Sequence, residues 1–180
     1  MIIQILQKIS FDYPIKIDKR SIFERDRLQL FIIYDIVPDI KGLKELKVDI
    51  LQDYYIPKHG RKRLLFSYPE FENKNSILKT YVLESLLCDK IGRILDADNE
   101  SRDLYDLWYL LKLKLDIKIV REEFKNKYGY EILIPNLSRE IVKDDYKQNW
   151  ENRLIFQISE LPDYNMVIKD LNKLIKKKFE

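Results

Sequence analysis

The spacing of apolar residues changes once along this 180-residue chain, near residue 79, and that change restricts the fold more than any other feature. Upstream, short runs alternate apolar and polar residues at the two-residue period of strands. Residues 28–37 form a β-branched and aromatic run closed by Pro38, Asp39 and Gly42. Residues 46–50, Leu-Lys-Val-Asp-Ile, alternate strictly, and 15–20 and 21–27 do so in shorter steps. Two runs joined by a turn with Pro and Gly predict an antiparallel pair. If Leu46, Val48 and Ile50 face a core, Lys47 and Asp49 point together to the other side. That side is either a solvated sheet face or part of a site.

Downstream, Val82, Leu83, Leu86, Leu87, Ile91, Ile94 and Leu95 recur at three- and four-residue steps, a helical stripe. Leu104, Leu107, Trp108 and Leu111 make the buried face of a second helix, with Ser101 as its N-cap. Further helices are expected over 121–128, 139–159 and 164–178, and the period of residues 2–9 is helical too. Lys176, Lys177 and Lys178 close the last helix, where lysines complement the helix dipole. An α+β fold follows, with a sheet region over 1–78 and a helical domain over 79–180. Between them, 53–76 reads as connections with one short strand around 64–66. The Arg61-Lys62-Arg63 triplet there is either a solvated loop or a contact for a phosphate backbone.

Composition removes several function classes. The chain has one cysteine, Cys88, and one histidine, His59, so neither an intramolecular disulfide nor a zinc cluster is possible. Cys88, flanked by Leu86 and Leu87, reads as a small buried hydrophobe. A metal here would be held by carboxylates, which selects magnesium or manganese. Four glycines leave no room for a phosphate-cradling loop or a dinucleotide fingerprint. Charged residues make up 35% of the chain but leave a net charge of only +3, which permits a local nucleic-acid patch without requiring one. No apolar run approaches the ~20 residues of a membrane span. The start of the chain lacks a basic, then apolar, leader, and a cytoplasmic protein is expected.

Chemistry concentrates between Glu84 and Asp106. One helix sets Glu84, Lys90 and Arg93 off its apolar stripe, and the next does the same with Arg102, Asp103 and Asp106. Asp103 and Asp106 are three apart and share a face. Joined as a hairpin, the helices would let Lys90 and Arg93 face the two aspartates. The result is either a surface lattice of ion pairs or a mixed-charge site for phosphates and a metal.

The segment Leu83-Glu84-Ser85-Leu86-Leu87-Cys88-Asp89-Lys90-Ile91-Gly92-Arg93, followed by Ser101-Arg102-Asp103-Leu104-Tyr105-Asp106-Leu107-Trp108, resembles the third motif of the AbiEii/AbiGii nucleotidyltransferase toxins. There a helical lysine precedes an Arg-Asp-x-x-Asp-Leu run. Lys47-Val48-Asp49-Ile50 resembles the second motif, and Asp145-Tyr146-Lys147-Gln148-Asn149-Trp150, with Leu154 and then Leu161-Pro162, the fourth. The resemblance runs from about residue 15 to the C-terminus. It implies a polymerase-β-like nucleotidyltransferase sheet followed by helices. It also implies magnesium-dependent transfer of a nucleotide from a nucleoside triphosphate to an RNA such as tRNA, and an antitoxin partner. By position, Asp49 would ligate the metal, and Lys90 would hold the triphosphate with Lys47, Arg93 and Arg102 as further phosphate or structural contacts. Asp103 and Asp106 would orient groups or assist proton removal.

The family's first motif, a Gly-Ser turn followed by an Asp-x-Asp pair that supplies the main metal carboxylates, has no counterpart before Lys47: the first glycine is Gly42. The chain is therefore expected to be a truncated family member with little or no transferase activity of its own. The alternative is a non-catalytic module that binds nucleic acid, nucleotide or antitoxin.

Overall fold

In the computed structural model of the chain the change of period becomes a change of architecture, from antiparallel strands to packed helices. It describes residues 4, 7–8, 10–11, 15–24, 27–35, 42, 44–51, 55–63, 65, 76–96 and 100–179. Among these, six strands precede six helices, an α+β order. The contacts divide the chain into two units, Met1–Ile56 and Pro57–Glu180. The sequence reading divided it after residue 78. Of the expected N-terminal helix, Gln4, Gln7 and Lys8 are helical and the rest lies outside the described residues.

The first unit is built on β3 (Arg27–Tyr34), whose run of Leu, Phe and Ile favours a pleated, half-buried surface. β1 (Ile15–Ile17) and β2 (Ile22–Phe23) pair with successive stretches of it, and β4 (Lys44–Leu51) pairs with it from end to end, all antiparallel. Gly42, in the connection to β4, has φ +101°, a conformation that favours glycine. The register sets Ile50, Val48 and Leu46 opposite Leu28, Leu30 and Ile32. Leu30 and Ile32 are buried, yet Leu46 and Ile50 stay 52% and 40% exposed.

The second unit opens with a ribbon of β5 (His59–Arg63) and β6 (Ile77–Tyr81), paired antiparallel. The basic triplet is thus strand rather than loop, and the helical pattern begins after Tyr81, not at Lys79. Of the strand expected around 64–66, only Leu65 is described, and it is not in a strand. Six helices follow: α1 (Leu83–Leu95), α2 (Ser101–Lys112), α3 (Ile117–Tyr128), α4 (Ile134–Glu140), α5 (Asp144–Leu154) and α6 (Tyr164–Phe179). The span expected as one helix over 139–159 contains the end of α4 and all of α5, and Pro135 sits in the first turn of α4, where it has no helical N–H to lose. Asp116 caps α3 by accepting from the Lys118 amide at 2.9 Å, and Gly129, at φ +78°, ends it.

α2 packs on α1, α5 and α6, and α1 also packs on α3 and α4. The core lies between them, with Leu87, Ile91, Leu104, Leu107, Phe124 and Leu171 fully buried. In α1 the buried side is Leu87, Cys88, Ile91 and Ile94, while Leu83 and Leu86 are 44% and 37% exposed. Burial pushes the Cys88 thiol up to about 12, so it is inert packing, as expected of it. No helix among the described residues is long and apolar enough to cross a membrane.

Candidate functional site

α1 and α2 lie against one another, so charges kept off their apolar stripes meet across the helix pair. Lys90 Nζ donates to Asp103 Oδ1 at 2.6 Å and lies 2.6 Å from Asp106 Oδ2. Arg93 Nε donates to the other Asp103 oxygen at 2.6 Å. Lys90 and Arg93 thus meet the aspartates as a hairpin would have them. Glu84 instead accepts from the Asp116 amide at 3.2 Å, and Arg102 is exposed on the first turn of α2 and makes no ion pair among the described residues.

The two aspartates differ sharply in surroundings. Asp103 is 2% exposed and Asp106 is 41% exposed, with Lys90 at 23%. Burial alone would raise the Asp103 carboxyl, but hydrogen bonds and charge from Lys90 and Arg93 outweigh it and hold the group below its usual range. Burial likewise works against the Lys90 ammonium, yet the two carboxylates prevail and keep it charged above the ordinary lysine value. An ammonium has three N–H donors, of which Asp103 and Asp106 take two and leave one for a ligand. Enclosing the Asp103 carboxylate is tolerated because both of its cationic partners are fixed against it, since desolvating it unpaired would be expensive.

The start of α2 is held by bonds that the sequence did not announce. Ser101, expected as an N-cap, is instead the buried first residue of α2, and its hydroxyl donates to the Tyr146 carbonyl of α5 at 3.2 Å. Trp108 Nε1 donates to Asp170 of α6 at 2.7 Å. Trp150 Nε1 donates to the Pro162 carbonyl at 2.9 Å, and its ring packs on Tyr105 and Tyr164 at 6.3 and 5.5 Å between centroids. Tyr146 and Trp150 of α5 therefore brace the turn that carries Asp103.

Another unforeseen clamp joins α3 to the ribbon. Glu123 is 1% exposed and accepts from the Lys58 amide at 2.6 Å, while Ser85 Oγ donates to the Lys58 carbonyl at 3.1 Å. The signal was present in Glu123 itself, placed three residues after Val120 and beside Phe124 on the apolar side of its helix.

In the first unit Lys47 and Asp49 project from the same side of β4, as the alternation requires, opposite Phe31 and Gln29. Asp49 accepts from Gln29 Nε2 at 2.5 Å and lies 3.2 Å from Lys47 Nζ. The hydrogen bond from Gln29 is the main reason its carboxyl is held low. Among the described residues no three His, Cys, Asp or Glu side chains are placed to hold a metal ion. A magnesium ion needs several oxygen ligands and is usually bound by one or two carboxylates. Asp49, already occupied by an amide and an ammonium, does not make that site with the described residues, and magnesium would require other carboxylates beside it.

A family model described as "Nucleotidyl transferase AbiEii toxin, Type IV TA system" matches residues 4–177. No curated protein and no solved structure matches the chain.

Proposed function

The chain belongs to the AbiEii nucleotidyl transferase toxin family of type IV toxin–antitoxin systems, and from that premise we propose that the α1–α2 cluster holds the triphosphate of a nucleoside triphosphate for transfer to an RNA acceptor. The observation that carries this reading is a partly exposed Lys90, favoured in its charged form by two carboxylates and pinned by an enclosed Asp103. A transferring phosphoryl group needs positioned cations more than covalent help from the protein. Lys90, with Arg93 beside it and Arg102 at the rim, supplies them. Asp103 is the positioning residue, since a carboxylate held low by two cations is a poor base. Asp106, the more exposed carboxylate, is the group placed to take the proton of an incoming hydroxyl. An antitoxin is the partner that the type IV system implies, and tRNA is the acceptor that the family resemblance favours.

Because Asp49 stands as a single candidate metal ligand among the described residues, residues 1–180 are proposed to bind nucleotide without completing transfer. A fluorescent ATP analogue titrated into the full chain tests the first part. Lys90→Gln should weaken binding at least about tenfold, the worth of one charge-assisted hydrogen bond. Unchanged binding in a variant of native melting temperature would remove the cluster from the site. Incubation with labelled triphosphate, RNA and magnesium tests the second part, and clear labelling of the RNA would overturn it.

A further inference from the structure

We infer that the β5–β6 ribbon is a binding arm for the sugar-phosphate backbone of RNA. Pairing sets His59 opposite Tyr81, Arg61 opposite Lys79 and Arg63 opposite Ile77. Directly opposite residues share a face, so Arg61, Arg63 and Lys79 gather on one side of a two-stranded ribbon, with Lys62 on the other. Neither strand contains an acidic residue, and none of these four cations makes an ion pair among the described residues. Like charges directly opposite one another weaken a strand pair. A ribbon that keeps Arg61 facing Lys79 is arranged for an anion that is not part of the described chain.

The neighbouring groups narrow the anion to a nucleic acid. His59 is exposed and Tyr81 is 50% exposed, and the two sit next to the Arg61–Lys79 pair on the same face. A pair of flat rings beside a pair of cations suits a chain that presents bases and phosphates together, because the rings stack while the cations neutralise charge. A single phosphate would need only the cations.

The base of the ribbon is fastened. Glu123 accepts from the Lys58 amide, Val82 N donates to the Lys58 carbonyl at 3.1 Å, and Lys58 Nζ pairs with Glu122 at 3.1 Å. Val82 alone separates β6 from α1, which carries Lys90 seven residues along, about 10 Å at the helical rise. An RNA held on the ribbon is thereby bound to the same unit as the proposed triphosphate lysine. The role as acceptor arm rests on the nucleotidyl-transfer reading, whereas RNA binding by the ribbon does not.

Fluorescence anisotropy of a labelled RNA stem-loop with a single-stranded end, titrated with the full chain between about 50 and 200 mM salt, tests the inference. Lys79→Glu is the informative variant, because it sets an opposite charge across from Arg61. It should melt no lower than the native chain, bind RNA about tenfold or more weakly, and flatten the salt dependence by roughly one to two counterions. Lys173→Glu, the same charge change on an exposed position of α6, should leave binding near native. Equal RNA affinity for Lys79→Glu and the native chain overturns the inference, as does an equal loss in Lys173→Glu. Loss of binding to phosphatidylserine vesicles with RNA binding intact would assign the ribbon to a membrane surface and overturn it too. Loss of RNA binding in Lys79→Glu with nucleotide binding unaffected separates this site from the Lys90 cluster.

Discussion

Asp103 in the helical unit and Asp49 in the sheet unit each have a lysine beside them, yet the two places behave as opposites. Asp103 is 2% exposed, touches two cations and sits where α5 grips the start of α2. Asp49 is 42% exposed, and its partners are an amide and a lysine that is itself half exposed. The same carboxylate-and-lysine pairing is therefore a fixed part of the packing in one region and a replaceable surface contact in the other. Burial, rather than the identity of the pair, decides which. A residue of the first kind is suited to aiming its neighbour, and one of the second kind is free to exchange partners when a ligand arrives.

The comparison breaks first at Asp103. Replacing it by Leu leaves Lys90 and Arg93 facing an apolar group, and should lower unfolding stability by about 2–3 kcal/mol, below the usual range for breaking a buried pair because both cations keep some solvent. Chemical denaturation followed by far-ultraviolet circular dichroism measures this, and a loss too small to measure would show that the enclosure is incidental. Next is Gly92, between Lys90 and Arg93 on α1. A Cβ there would lie 2.1 Å from the Tyr128 hydroxyl, so Gly92→Ala must displace a ring that packs on Phe124. The expected loss is about 1–2 kcal/mol by overpacking, and a melting temperature equal to native would mean that Tyr128 swings aside freely.

pH sharpens the contrast without a substitution. A carboxyl held below its unfolded value stabilises the fold above that value, near pH 3.9, and the contribution disappears as pH falls through the lower folded value. Stability below about pH 4 should therefore fall more steeply in the native chain than in Asp103→Asn. Parallel acid profiles would contradict the assignment. Asp106→Asn comes next, with a loss under about 1 kcal/mol, because its contact with Lys90 is half exposed. Asp49→Asn should leave the melting curve where it was, and a measurable fall would show that the sheet depends on the bond from Gln29.

Much of this arrangement was legible in the sequence, and the parts that were not share a cause. The three- and four-residue spacing of Leu87, Ile91 and Ile94, and of Leu104, Leu107 and Leu111, announces two helices with their charges on the outside. The distance from Lys90 to Asp103 then suits a hairpin that joins them. The alternation around Lys47 and Asp49 fixes their common side for the same reason. Arg61-Lys62-Arg63 was different. A run of cations after Pro57 and Gly60 has no apolar alternation, and the strand exists because residues 77–81 pair with it from well downstream. Ser101 failed in a similar way: its side chain answers to Tyr146, 45 residues on, not to its own helix. Local pattern reports local structure, and these two positions are decided by distant partners.

The chain has two tryptophans, Trp108 and Trp150, and both are buried in the Pro57–Glu180 unit, where each ring nitrogen is already bonded. Indole emission is thus a private signal of the helical unit, and Met1–Ile56 has no indole to contribute. Circular dichroism, by contrast, hears strands and helices together. If emission and dichroism follow one denaturation curve, the two units melt as a single cooperative body; if they separate, the sheet carrying Asp49 has its own melting transition, and the unit carrying Lys90 can be studied while the other is already unfolded.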